Sequence, residues 1–413
     1  MTRRTSLPLL LWLAAASSPA AAGNASTNTS KNVSLRVTLH DGTVLEGRVR
    51  FRKDALEVKG RRRRRIAYRE VSSLRAIDPP TPEELRARYA RRRDRIPDDA
   101  GAAPWLRLGR WARAQGLEEE SRAAYEKALA CDPESAEARR GLGELQDDTG
   151  AWVDGLTWLR TRRNRLAPKD HDGLVALARD ALRAGYRAQG FAWLCEVMRA
   201  DIFHKEALRL ARPITDSYRQ KTPLRWPVRG RWKASPDPTR HHQKKSYAVY
   251  ALDLNKVDAE GRHYRGRGRR LEDVYAWGQP FYAMAPGRVV EVRDGNPDNP
   301  LRASLKGRAE KHNGVSILHE GGELTWYVHA KCGSIKVKVG DQVEAGQLLG
   351  EVGNSGGSAI PHLHVTLVAF NGISVPWTCD DFTLVAEDGT PIRVERAWPR
   401  EGWTIEVPEQ APR

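Results

Sequence analysis

GELTWYVHAKCGSIKVKVGDQVEAGQLLGEVGNSGGSAIPHLHV, residues 322–365, is the stretch on which the fold turns. At its end stands His362-Leu363-His364. In an extended strand residues two apart point to the same side of the sheet, so the two imidazoles face one pocket. Neutral imidazole is the commonest metal ligand, and Pro361 with the Gly-rich turn NSGGS presents the pair rigidly. A third histidine, His329, ends the strand-like run WYVH, which could bring its ring toward the same pocket. Taken alone, a histidine on a strand is more often packed or at the surface than a ligand.

The order YVH, GSIKVKVGDQVEAGQLLGEVGNSGGS and PHLHV resembles the lysostaphin-type (LytM-like) zinc metallopeptidases, which cut peptide bonds in bacterial peptidoglycan. The resemblance covers residues 222–395 and implies an all-β catalytic domain, a duplicated hybrid motif. It implies one Zn²⁺ held by His364 with an upstream histidine and aspartate, and His329 and His362 beside the metal as catalytic groups. Which of those two is base and which stabilises the tetrahedral intermediate is left open by the sequence. The upstream pair falls in HHQKKSYAVYALDLNKV, residues 241–257, where Asp253 follows the strand-like run 247–252. Many family members place the histidine four residues before the aspartate, but Val249 stands there, leaving His241 or His242. Relatives with a spacing of eleven favour His242.

The resemblance implies a chemistry that suits these residue types. Two imidazoles and a carboxylate leave zinc a net positive charge and one open tetrahedral position. Such a site lowers the pKa of water from about 15.7 toward roughly 7. An unperturbed imidazole titrates near ~6.5, so His329 and His362 can move protons at working pH. The segment VKVGDQVEAGQLLGEVG also resembles the hammerhead of biotinyl and lipoyl carriers, but no lysine occupies the tip between Val343 and Gly346, which excludes a carrier.

Outward from this segment, GQPFYAMAPGRVVEVRDGNPDNP reads as strand, Pro-Gly turn, strand, and VSILHEGGELTWYVH as a hairpin in which His319 is structural. Residues 216–240, rich in Pro, Arg and Trp, read as a linker, and 396–413 as a tail. Residues 83–215 read as helix. LRLGRWARAQGLEEESRAAYEKALACDP recurs 69 residues later as VALARDALRAGYRAQGFAWLCEVMRADI, each copy two amphipathic helices joined at a glycine. These are similar to tetratricopeptide repeats, with a period of about 34 residues, and such arrays bind a protein partner or space domains. Residues 33–78 alternate apolar and polar, with Asp41-Gly42 as a turn, and read as a small SH3- or Sm-like β module. Arg61 to Arg65 falls at a hairpin of that module.

Residues 1–22 carry Arg3 and Arg4, an apolar run from Leu7 to Ala16 and then Ala20-Ala21-Ala22, the form of a cleaved export signal. With 69 basic against 52 acidic residues the net charge is +17. Such a balance commonly signals nucleic acid. Export argues against that partner and for peripheral contact with an anionic envelope surface. A hydrophobic fraction of 40% over 413 residues supports several packed domains and excludes a disordered chain. The four cysteines lack C-x-x-C spacing, which leaves zinc-finger ligation unsupported, and a large core needs no staples, so a bridge between Cys332 and Cys379 is no more than an option in an exported chain.

The expected protein is thus multidomain and exported to the periplasm or envelope, a zinc metalloendopeptidase acting on peptidoglycan peptides. Two other readings stand beside it: a non-catalytic envelope scaffold or amidase activator of the same fold, and a metallopeptidase that cuts proteins. The scaffold reading would free the chain to lose Asp253, His329, His362 and His364, and all four are present.

Overall fold

The computed structural model describes residues 34–60, 62–78, 80–235, 242–305, 307–398 and 402–409. The expected export signal, His241 and Arg61 lie outside the described residues. The described residues fall into two compact units, those within 78–214 on one hand and those within 34–77 and 215–409 on the other. Among the described residues no helix is long and apolar enough to cross a membrane.

The unit Asp78–Ile214 is mainly helical. Pro82–Arg93 opens it with a capping box, in which Thr81 accepts from the Glu84 amide and Glu84 reaches back to the Thr81 amide. Helices Ala102–Ala114 and Glu118–Cys131 recur 69 residues on as His171–Arg183 and Arg187–Ala200. The joints match as well, because Gly116 and Gly185 both adopt the left-handed backbone that ends a helix without strain. Between the two pairs the helical-repeat region expected over 83–215 also contains a short hairpin, Glu144–Gln146 with Trp152–Asp154. Asp147 and Gly150 supply its turn, and Asp147 accepts from the amides of Thr149 and Ala151.

In the other unit sixteen strands join one sheet. Gly314–Leu318 pairs with Leu324–Val328, which pairs with Leu363–Ala369, which pairs with Leu252–Lys256. Beyond it come Gly230–Ala234, Thr404–Val407, Cys379–Val385 and Pro391–Ala397. Pro391–Ala397 runs parallel to Val71–Ala76, the last strand of the N-terminal meander. Residues 33–78, a module of their own in the sequence reading, therefore share a sheet and a core cluster with the C-terminal strands.

Several expectations change at this level. The linker 216–240 buries Leu224, Trp226, Val228 and Trp232 and contributes the strand Gly230–Ala234. The tail 396–413 supplies the strand Thr404–Val407, with Ile405 fully buried between two neighbours. Of the strand expected at 247–252 only Leu252 is extended, residues 247–250 forming turns, and Asp253 lies inside Leu252–Lys256. All four cysteines are free, Cys332 exposed and Cys379 buried, so the bridge between them is absent.

Candidate metal centre

The register of three strands assembles the site. Val328 pairs with His364, and His364 pairs with Asp253, so one row across the sheet carries a carboxylate and an imidazole side by side. His364 Nδ1 lies 2.9 Å from Asp253 Oδ1. His362, two residues earlier, reaches the same oxygen with Nε2 at 3.3 Å. The His362-Leu363-His364 alternation therefore works as strand geometry requires, with Leu363 fully buried on the opposite face.

His242 comes from a short 3₁₀ turn, His242–Lys244, and places Nε2 3.4 Å from Asp253 Oδ2. Its ring meets that of His364 edge to face, with centroids 4.9 Å apart. His329 stands one residue past the Leu324–Val328 strand and holds a left-handed φ of 71°. Such a backbone is costly for a residue with a Cβ and concentrates at functional positions. It swings the ring beside His362, with centroids 4.7 Å apart.

Hydrogen bonds fix the tautomers. A carbonyl oxygen can only accept, so His329 Nδ1–H donates to the Ser355 carbonyl at 2.7 Å and His362 Nδ1–H to the Ile360 carbonyl at 2.8 Å. Each ring is left with Nε2 as its working atom. The carbonyls belong to the loop NSGGS and its continuation, which is held from behind. Asn354 donates to the Asn299 carbonyl, Asn299 donates to the Gly356 and Ser358 carbonyls, and Ser358 donates to Asn354 Oδ1. Ser355 Oγ accepts from the Asn313 amide and donates to the Ala330 carbonyl. The turn is legible in the sequence, but Asn299, at the end of the run 278–300, and Asn313 carry no local signal that ties them to it. His319, read as structural, has both ring nitrogens engaged, by the Pro286 carbonyl and Thr325 Oγ1.

The electrostatics follow from burial and this crowding. Burial pushes the Asp253 carboxyl up, but His362, His242 and His364 more than offset it and hold it well below the usual carboxylate range. Burial, with the neighbouring His362 and His364, holds His329 well below the ordinary imidazole value. His364 is pulled down to about 4, chiefly by burial, against the attraction of Asp253. Burial also lowers His362, yet the charge of Asp253 and its hydrogen bond raise it above the ordinary value.

Two sets of three side chains bring ligand atoms within 4.8 Å of one another: His242, Asp253 and His364, and His329, His362 and His364. A tetrahedral ion with bonds of about 2.0–2.1 Å needs ligand atoms roughly 3.4 Å apart. His242 Nε2 to Asp253 Oδ2 at 3.4 Å fits that requirement, and His364 Nδ1 to Asp253 Oδ1 at 2.9 Å falls somewhat short of it. Two imidazoles and one carboxylate are the donor set of a zinc site with one position open, and only the first set brings a carboxylate to offset the charge.

Comparison with known proteins gives a match to the family described as Peptidase family M23 over residues 272–375. The glycyl-glycine endopeptidase ALE-1 of Staphylococcus capitis is 30% identical over 118 residues, 29% of this chain and 26% of that protein. Lysostaphin of Staphylococcus simulans is 34% identical over 118 residues, 29% of this chain and 20% of that protein. The chain thus spans about a quarter or less of the length of these curated relatives. A zinc-containing peptidase from Vibrio cholerae, a solved structure, is 21% identical over 38% of this chain and 39% of its own, with a TM-score of 0.24.

Proposed function

With residues 272–375 forming a peptidase family M23 domain, we propose that the protein is an exported zinc metalloendopeptidase that hydrolyses peptide bonds in peptidoglycan cross-links. The observation that carries this reading is the convergence of His242, His362 and His364 on one nearly buried carboxylate, Asp253. A core has no use for such a cluster, because each buried imidazole and carboxylate costs desolvation that apolar packing would avoid.

His242, Asp253 and His364 would hold one Zn²⁺ in this reading. The ion supplies Lewis acidity and brings the pKa of a water from about 15.7 toward roughly 7. The remaining work falls to the chain. His329 and His362 each keep Nδ1–H on a backbone carbonyl, so each ring is locked in orientation and offers Nε2 alone to the reacting groups. Proton uptake and return at these Nε2 atoms need no ring rotation, which is what general acid–base transfer requires. The loop behind them, bonded through Asn354, Ser355 and Ser358, holds the Ser355 and Ile360 carbonyls in place and with them the orientation of each ring.

The test is release of soluble peptides from purified peptidoglycan by residues 23–413, with and without a zinc chelator, followed by mass spectrometry of the new ends. Chelator-sensitive release with new peptide termini is the expected result. A zinc-loaded, folded protein that releases nothing from several wall types would replace this reading with the scaffold, and cleavage of protein substrates alone would replace it with a protein-directed peptidase.

A further inference from the structure

Far from these histidines in sequence, strands Val44–Phe51, Ala55–Lys59 and Arg63–Ala67 run antiparallel. Alternate residues turn to the core, where Val49, Leu56, Val58 and Ile66 are buried. The other set faces solvent, and the register lines it up in rows across the strands. Arg36 on the neighbouring strand Ser34–Leu39 stands opposite Glu46 and pairs with it at 2.7 Å. Arg50, Glu57 and Arg65 form a second row in which the sign alternates. The third row reads Arg48, Lys59, Arg63, a cation opposite a cation opposite a cation.

Like charges directly opposite one another destabilise a sheet. The other two rows avoid that cost, and in the second Arg65 also pairs with Asp54 and Glu57 with Arg52. Among the described residues no carboxylate pairs with Arg48, Lys59 or Arg63. These three line one surface depression with Arg50 and Glu57, four cations around a carboxylate that Arg52 already engages. Folding alone gives no reason for such a row, and a bound polyanion would.

We propose that the row Arg48–Lys59–Arg63 docks a linear phosphodiester polymer with polyol spacers. Neighbouring strands lie about 4.8 Å apart, so the three cations span roughly 10 Å at the backbone with no anion in the row itself. Guanidinium forks stand at both ends, and each can take two oxygens of one phosphate side by side. Among the described residues of these strands no aromatic ring is exposed for a nucleic-acid base to stack on. Val44 is their only large exposed apolar side chain, too little for insertion between lipid chains. The proposal does not rest on the peptidase reading, since the row shares no residue with the metal centre and its test reads binding, not hydrolysis.

The experiment is fluorescence anisotropy of labelled poly(glycerol phosphate) with the full chain over a range of salt. The expected affinity falls with salt with a log–log slope of about −2, as three neutralised phosphates require. The variant Arg48→Gln/Lys59→Gln/Arg63→Gln is expected to lose about tenfold or more in affinity. Its melting temperature should stay level or rise, because a like-charge row has been removed. Arg88→Gln/Arg91→Gln/Arg95→Gln, which removes the same charge from the helical unit, should bind within about twofold of the parent, as expected if local contacts and not net charge set the affinity. Undiminished binding by the first variant, equal loss in the second, or tighter binding of polyglutamate, single-stranded DNA or phosphatidylglycerol vesicles would overturn the proposal.

Discussion

In the helical unit the buried polar side chains among the described residues are Ser121, donating to the Gly109 carbonyl, and Ser135, capping a short helix. In the β-rich unit Glu323, Asn299, Asn313, Asn354 and four histidines are all buried. The helical unit is held by apolar contacts such as those of Leu194 and Ala178, and its charges pair at the surface. The β-rich unit carries the desolvation cost of many polar groups and offsets it with a closed hydrogen-bond network. Much of that network lies behind His329 and His362, so the comparison separates side chains that serve the fold from side chains that serve a site.

The strongest way to break the comparison is to empty the centre. His364→Ala or Asp253→Ala should abolish both zinc binding and peptide release, read by elemental analysis and the peptidoglycan assay. His362→Ala should keep its metal while activity falls about 10²–10⁴-fold, the usual worth of a general acid–base group. A His362→Ala protein that had also shed its zinc would undo the division between ligands and catalytic groups. Leu194→Ala, fully buried in Arg187–Ala200, should destabilise the helical unit by about 2–5 kcal/mol in denaturant unfolding. Zinc content should not change.

Asn354→Ala sharpens the contrast, because it strips the side-chain donor from the Asn299 carbonyl and leaves the Ser358 hydroxyl only the Ile360 carbonyl and His362. The expected cost is about 1–3 kcal/mol for the unsatisfied groups. Activity should fall together with stability, as Leu194→Ala should not make it do. The smallest effect belongs to Glu206, which hydrogen bonds from Arg209 and Arg179 hold down to about 2. A depressed folded pKa stabilises above the unfolded value and is lost as pH falls through the folded one. Glu206→Gln should therefore flatten a slight decline in helical-unit stability between about pH 4.5 and 2, followed by circular dichroism.

Local signals made some of this legible. The helix pairs were readable because helix periodicity and the glycine joints at 116 and 185 are properties of short windows. The arginine run 61–65 falls at a hairpin as its sequence predicts, since Ala55–Lys59 pairs antiparallel with Arg63–Ala67, and only the register makes Arg63 part of a cationic row. Val71–Ala76 gave no hint of its parallel partner Pro391–Ala397, because pairing between strands so distant leaves no trace in either one's residues. The strands in the linker and the tail were missed for the same reason.

The sequence by itself determined that His362 and His364 share one face, since a period of two is built into any strand. It also determined which residue types were available to hold zinc. Only the tertiary structure decided that Asp253, 111 residues before His364, sits directly opposite it, and that His242 enters from a turn beside them. That decision lies in inter-strand hydrogen bonds, whose register is set by the whole sheet and its core, and a one-residue slip would send each side chain to the other face.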